Sequence, residues 1–255
     1  MPDAEKVALV TGASSGFGEA IAKELGAGGH AVLAAGRNET RTRGVVEAIA
    51  AGGATAEAWL GDLTVAGACE DLIAACRERF GRLDVLVNSA GVFYPALAED
   101  TSEAAWDETI AVNLTAVFKL SRAALPLLRE SGGGVILNIA SDWGLMGGRL
   151  GAAYCASKGG VVLMTKAMAL DHAKENIRVN AVCPTSFLTP MIEGEFRRRG
   201  VDLATGLAEE AAGIPLGRLG HPEELAKLVA YLASDAAALM TGAAIPLDGG
   251  TTAGQ

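Results

Sequence analysis

Short apolar runs alternate with longer amphipathic stretches along the whole of this 255-residue chain. "KVALVTG", "AVLAAG", "ATAEAWLGD", "LDVLVNSAG", "GGVILNIAS", "IRVNAVCP" and "AAIPLDGG" are rich in small and branched apolar residues. Glycine or polar residues bound them, so each reads as a strand. Between them apolar residues recur at helical intervals. That predicts helices at "GFGEAIAKELGAGG", closed by glycines, and then at Val45–Ala51, Gly67–Phe80, Glu103–Val112, Leu114–Arg129, Ala152–Lys174 and Pro222–Ser234. Alternation of this kind implies an α/β fold, a doubly wound parallel sheet of about seven strands with helices on both faces and right-handed crossovers. No repeat, low-complexity tract or linker divides the chain, so one domain over residues 1–255 is expected.

One stretch breaks the alternation. Residues 186–215, "SFLTPMIEGEFRRRGVDLATGLAEEAAGIP", are polar and punctuated by glycine. The pattern suits a mobile flap over a site; the plainer alternative is a surface excursion.

Composition narrows the class. Half of the residues are hydrophobic and 20% are charged, which is ordinary for a folded protein with a sizeable core. The net charge of −9 argues against nucleic acid and anionic membranes as partners. No run approaches the roughly 18 uninterrupted apolar residues of a membrane helix. The opening "MPDAEKVALV" carries acids and lacks the apolar core of a signal peptide, so a cytoplasmic location is expected. Cys69, Cys76, Cys155 and Cys183 have no zinc spacing and read as reduced, small hydrophobes. His30, His172 and His221 are scattered and read as surface or capping residues; no metal is expected.

Candidate chemistry begins at the first turn. In "LVTGASSGFGEA", Gly12, Gly16 and Gly18 crowd the junction of a strand and a helix. Glycine there lets a pyrophosphate approach the helix N-terminus, where free N–H groups favour negative charge. In "GAAYCASKGG", Tyr154 and Lys158 lie four positions apart and share one helix face. Alone, that pair is equally a snorkelling lysine beside a half-buried tyrosine.

Several further motifs fall in a fixed order with these. "TGASSGFG" resembles the T-G-x-x-x-G-x-G motif of the short-chain dehydrogenase/reductase family. "GDLT", Gly61–Thr64, is similar to its adenine-contacting segment. "NSAG", Asn88–Gly91, resembles its N-N-A-G motif with Ser89 in place of the second asparagine, and "NIAS…YCASK" resembles its active-site block. The likeness runs from about Lys6 to Gly250 and implies a Rossmann-like fold.

The resemblance implies that Tyr154 is a general acid/base, with Lys158 as its activator and as a ligand of the nicotinamide ribose. Free tyrosine titrates near about 10, and a neighbouring ammonium should lower that value. Ser141, at the carboxyl end of its strand, would hold the substrate oxygen. Asn113 is the fourth catalytic member implied, ordering a water that links the lysine to solvent. The residues implied to bind the dinucleotide are Gly12, Ser14, Ser15, Gly16, Phe17 and Gly18, then Arg37, Asp62, Leu63, Asn88, Ala90 and Gly91, and finally Pro184, Thr185 and Thr189, with Tyr154 and Lys158. The reaction implied is hydride transfer between a nicotinamide cofactor and a secondary alcohol or ketone, without metal.

Cofactor choice turns on the end of the second strand. An NAD enzyme needs an acid there; this chain has Gly36 followed by Arg37, with Arg41 and Arg43 beyond. The missing acid and the arginine favour NADP(H), with NAD(H) as the alternative. One departure is marked: "PTSFLTPM" carries Thr185 where the family usually has glycine, which adds β-branched bulk over the reacting centre. The substrate pocket is expected from Ser141, Phe93, Tyr94, Asp142, Trp143, Met146, Leu150, Phe187 and Met191, a mixed apolar wall with one acid. The expected partners are a small alcohol or ketone and, by resemblance, further copies of the chain in a homotetramer or homodimer. Two alternatives stay open: a 3-oxoacyl-carrier-protein reductase, for which "RRRG" at Arg197–Gly200 is the only dense basic cluster, and a non-catalytic dinucleotide-binding sensor.

Overall fold

The structure is a computed structural model and describes residues 5–254; the first four residues of the acid-bearing opening segment lie outside the described residues. Seven strands form one sheet: β1 (Val7–Thr11), β2 (Ala31–Gly36), β3 (Ala56–Leu60), β4 (Val85–Asn88), β5 (Gly134–Ile139), β6 (Ile177–Pro184) and β7 (Ala244–Leu247). All pairings are parallel, and the order is β3-β2-β1-β4-β5-β6-β7. The winding reverses between β1 and β4. At that switch point the chain departs from the two strands in opposite directions, which opens a crevice at the carboxyl ends.

Nine helices surround the sheet among the described residues: α1 (Gly16–Ala27), α2 (Glu39–Ala51), α3 (Ala68–Phe80), α4 (Glu103–Ile110), α5 (Ala116–Glu130), α6 (Ala152–His172), α7 (Pro190–Arg199), α8 (Leu203–Ala212) and α9 (Pro222–Ala233). Alternate residues of each strand feed two cores. Ala8 and Val10 pack with Ile21, Leu25, Leu225 and Val229 of α1 and α9. Val7 and Leu9 pack on the other face with Leu72 and Cys76 of α3 and Leu120 and Leu128 of α5. Burial on both faces is why the central strands read as unbroken apolar runs rather than alternating ones.

Three elements differ from the sequence pattern. Helix α2 starts at Glu39, six residues earlier than the periodicity suggests. Apart from buried Thr42 its first turns are polar and exposed, and Asn38 caps it by accepting from the Arg41 N–H at 2.9 Å. The two helices expected around Asn113 are one continuous run, joined by a π-helical turn at Ala111–Thr115. The segment 186–215 is not an irregular flap: it holds α7 and α8. Phe196 of α7 is buried against α8, where a Cβ at Gly206 would stand 2.6 Å from its ring. Polar outer faces hid both helices. The run Glu103–Glu130 has the length and apolarity of a membrane span, and 44% of its most apolar window is buried inside the fold.

Under the crevice lies a buried polar chain. Asn88 Nδ2 donates to Asn138 Oδ1 at 2.8 Å and to Ser121 Oγ at 3.0 Å, and Asn138 Nδ2 donates to Thr165 Oγ1 at 2.8 Å. It ties β4 and β5 to α5 and α6, all within the core. Replacing Asn138 with alanine strips a partner from Asn88 and Thr165 in a place water cannot reach. The expected cost is about 1–3 kcal/mol, read as a lowered urea midpoint at an unchanged slope.

Candidate active site

The first turn is glycine-rich because backbone meets backbone. Gly12 and Gly16 have positive φ, 66° and 55°. A Cβ at Gly12 would stand 2.9 Å from the Ala90 backbone, and one at Gly18 would stand 2.3 Å from the Gly12 carbonyl oxygen. Helix α1 therefore opens directly on the crevice, and its N-cap residue, Ser15, makes no side-chain cap. The crevice is a cleft of about 540 Å³. Of the expected cofactor residues, Gly12, Ser14, Ser15, Gly16, Phe17, Gly18, Arg37, Asp62, Leu63, Ala90, Gly91 and Thr189 line it. Ser89 lines it too, and its hydroxyl is the one buried side-chain polar atom without a partner among the described residues. A glycine cradle, an uncapped helix N-terminus and a spare hydroxyl fit a dinucleotide.

Five expected cofactor residues do not line it: Tyr154 and Lys158 on α6, and Asn88, Pro184 and Thr185. Asn88 is turned into the core by its bonds to Ser121 and Asn138. Pro184 is buried at the end of β6, and the side chain of Thr185 faces the Asp142 carboxylate. Asn38, Arg41, Trp59, Thr64, Val92 and Val112 also line the cleft. The sequence singles out Arg41 and Thr64 among them; the others reach the cleft by folding.

At the end of β2, a Cβ on Gly36 would stand 2.5 Å from Thr42 Oγ1 and 3.3 Å from Ser14 Cβ, so the packing leaves no room for an acid. Arg37 reaches Asp62 at 3.5 Å, and Arg41 lines the cleft, whereas Arg43 pairs outward with Glu39 at 2.9 Å. Hydrogen bonds from Thr64, then Arg37, hold the Asp62 carboxyl below its usual range.

The four expected catalytic residues converge. Ser141 follows β5, Tyr154 and Lys158 project from α6, and Asn113 sits on the π turn. Such turns recur at functional sites because they break the α-helical ladder. Asn113 Oδ1 accepts from Val92 N at 2.8 Å, and its Nδ2 donates to Val92 O at 2.9 Å and Ser157 Oγ at 3.3 Å. It clamps the loop after β4. Lys158 is buried; its Nζ donates to Ile139 O at 2.8 Å and stands 5.6 Å from the Tyr154 ring centre. A Cβ on Gly91 would come within 3.4 Å of Asn113 and 3.7 Å of Lys158 Nζ, so glycine keeps that side open.

The expected lowering of Tyr154 by Lys158 is not found. Burial pushes the phenol above its ordinary value; Ser141 opposes this, and the Asp142 charge adds to it. Burial also brings Lys158 down to about 8. Around the phenol stands an aromatic wall: Phe93 lies 5.0 Å from Tyr154 and 5.6 Å from Trp143, all edge to face. Trp143 is wedged against Gly148 and Gly151, where a Cβ would meet its ring at 2.1 and 2.7 Å. Met146 is half-buried, and Tyr94, Leu150 and Met191 are exposed nearby on loops and on α7. Phe187 is not a wall residue. It is buried beneath the first turn, 5.1 Å from Phe17, in space that Gly220 leaves open.

A depressed lysine couples stability to pH. Between its folded value of about 8 and its ordinary 10.5, the unfolded chain binds more protons, so stability rises with pH through that window. Lys158→Met removes the cost of the buried charge. The variant should exceed the wild type by about 1–3 kcal/mol near neutrality, and the gap should close towards pH 10.5. Denaturant unfolding of both proteins across this range measures it.

The model of the short chain dehydrogenase family matches residues 6–200. Trans-4-hydroxycyclohexanecarboxylate dehydrogenase of Sinomonas cyclohexanicum is 41% identical, covering 99% of this chain and 95% of its own length. 2,5-Dichloro-2,5-cyclohexadiene-1,4-diol dehydrogenase of Sphingobium indicum is 39% identical, covering 98% of each chain. A crystal structure of a variant actinorhodin polyketide ketoreductase with NADPH superposes with a TM-score of 0.93 at 37% identity, covering 97% of each chain. A parallel sheet with a glycine cradle at its switch point, a Tyr154–Lys158 pair beside it, and relatives of this similarity along nearly the whole chain lead to one conclusion: the protein belongs to the short-chain dehydrogenase family and is an NAD(P)-dependent oxidoreductase of alcohols and ketones.

Proposed function

We propose that the protein is a carbonyl reductase, or in reverse a secondary-alcohol dehydrogenase, that prefers NADP(H), works through Tyr154 and folds as one domain with α7 and α8 as the cover of its site. The observation that carries this reading is the convergence of Ser141, Tyr154 and Lys158 at the carboxyl end of β5, beside the cleft. When bound, the dinucleotide supplies hydride to the carbonyl carbon or accepts it from the carbinol. Tyr154 gives the proton to the developing alkoxide, and Ser141 holds that oxygen. Lys158 is buried without an acid to neutralise it, and its ammonium draws ribose hydroxyls. Asn113 fixes the loop that carries Gly91 and Val92. Phe93 and Trp143 favour a flat or cyclic apolar substrate against the phenol.

Preference for NADP(H) rests on Gly36, which excludes an acid, and on Arg37 and Arg41, which offer two guanidinium groups to a 2′-phosphate. Of the three arginines at the end of α7, Arg197 and Arg199 already pair with Glu193 and Glu209, which leaves little free basic surface for a carrier protein. Exposed Trp106, Phe118, Leu163 and Leu170 on α4–α6 support self-association through that face, as a homodimer or homotetramer. The acidic charge fits a cytoplasmic enzyme.

Two measurements test the reading. Tyr154→Phe should lose at least about a thousandfold in kcat while still binding NADPH, followed by fluorescence titration; near-normal turnover would end the assignment. Arg37→Ala should lower the NADPH/NADH ratio of kcat/KM by about tenfold or more, chiefly through KM. A ratio that stays put would count against the cofactor preference.

A further inference from the structure

Asp142 is buried at 3% exposure, directly after Ser141, with no arginine or lysine among the described residues in salt-bridge contact. Its Oδ1 accepts from the Ser141 hydroxyl at 2.9 Å and from the Trp143 N–H at 2.8 Å. The Trp143 N–H also reaches Ser141 Oγ, at 3.2 Å. From the other side the carboxylate is faced by Thr185, the residue that stands where the resemblance calls for glycine. Two positions distant in sequence, one of them the departure at Thr185, thus meet behind Ser141.

A serine hydroxyl has a single hydrogen. As long as Ser141 donates it to Asp142, that hydrogen is not available to a substrate oxygen, and Ser141 meets the reacting centre as an acceptor only. We propose that Asp142 is a positioning residue that controls the direction of the Ser141 hydroxyl, and that the working form of the site is the one in which Asp142 is protonated. A neutral carboxyl no longer competes for the Ser141 hydrogen, and it removes a negative charge from beside the oxygen on which charge develops. This inference rests on the proposed roles of Ser141 and Tyr154.

The surroundings suit a proton held at that carboxyl. Burial is the largest influence and favours the neutral form. The Asp248 carboxylate, on the segment after β7, adds to it; Thr185, Ser141 and the Trp143 N–H oppose it, and the balance lies above the ordinary aspartate value. The remaining titratable groups nearby are Tyr154 and Lys158 on α6 and Cys183 on β6. Tyr154 is held neutral by burial, Lys158 gives a hydrogen to Ile139, and burial pushes the Cys183 thiol to about 11. The sign follows. A carboxyl whose folded value is raised stays protonated to higher pH, so turnover should fall as pH rises through it.

The test is the pH profile of kcat/KM for the intact enzyme, with NADPH and cyclohexanone as the probe pair. The wild type should show a limb of declining kcat/KM, about tenfold per pH unit, that Asp142→Asn lacks. The amide introduced by Asp142→Asn cannot ionise and can donate to Ser141 Oγ. Thr185→Val, nearly isosteric, removes a group that favours the charged form, so its limb should move to higher pH. The same limb at the same pH in both variants overturns the inference. So does an Asp142→Asn enzyme that binds NADPH yet is as inactive as Ser141→Ala at every pH. If Asp142→Asn fails to fold, the Thr185→Val profile decides: a shifted limb supports the inference and an unmoved one overturns it. Undiminished turnover in Tyr154→Phe would instead refute Tyr154 as the proton donor, whatever the profile of Asp142→Asn.

Discussion

The site depends on how closely the loops leaving β1 and β4 run past one another. Thr11 Oγ1 accepts from the Ser89 and Ala90 N–H groups at 3.0 and 3.2 Å, and the Gly12 and Ala90 backbones leave no room for a Cβ between them. Two parallel strands whose connections depart in opposite directions would otherwise expose unpaired amides at this end. Here one threonine hydroxyl satisfies two of them. The contact also sets where α1 begins, and with it the orientation of the N–H groups that face the cleft.

Around that contact the protein buries polar groups. Asn88, Asn138, Ser121 and Thr165 satisfy one another in the core, and such a network costs little while complete. Lys158 and Asp142 are different. Each is buried without an opposite charge to neutralise it, and each is displaced from its ordinary titration towards the neutral form. Uncompensated buried charges are costly to a fold, and their concentration within one turn of Ser141 and Tyr154 is the mark of a functional site. The aromatic contacts of Tyr154 with Phe93 and Trp143 add rigidity, holding a phenol whose hydroxyl has to be placed to within fractions of an ångström.

The helix run through Asn113 shows how such a site is assembled from ordinary elements. The apolar pattern divides at this residue because asparagine interrupts it, and the structure answers with a π turn rather than a break. The turn lets the amide point sideways to Val92 while α4 and α5 remain one rod. Phe187 shows the converse. Its place after β6 suggested a wall of the substrate pocket, but the space left by Gly220 draws the ring into the core.

By itself the sequence determined the order of the elements, the parallel sheet and the glycine cradle, and its family resemblance pointed to Ser141, Tyr154 and Lys158 as the proposed reacting residues. Strands buried on both faces and helices buried on one have periods that local residues must obey, and a turn in which backbones touch admits only glycine. It did not determine the helices α7 and α8, whose polar faces carry no clear period, nor the early start of α2. It also left open which way Asn88, Phe187 and Thr185 turn. Nor did it reveal that burial, rather than the neighbouring ammonium, governs Tyr154. Those outcomes depend on which groups lie close together and how much water is excluded around them, and both are properties of tertiary packing alone.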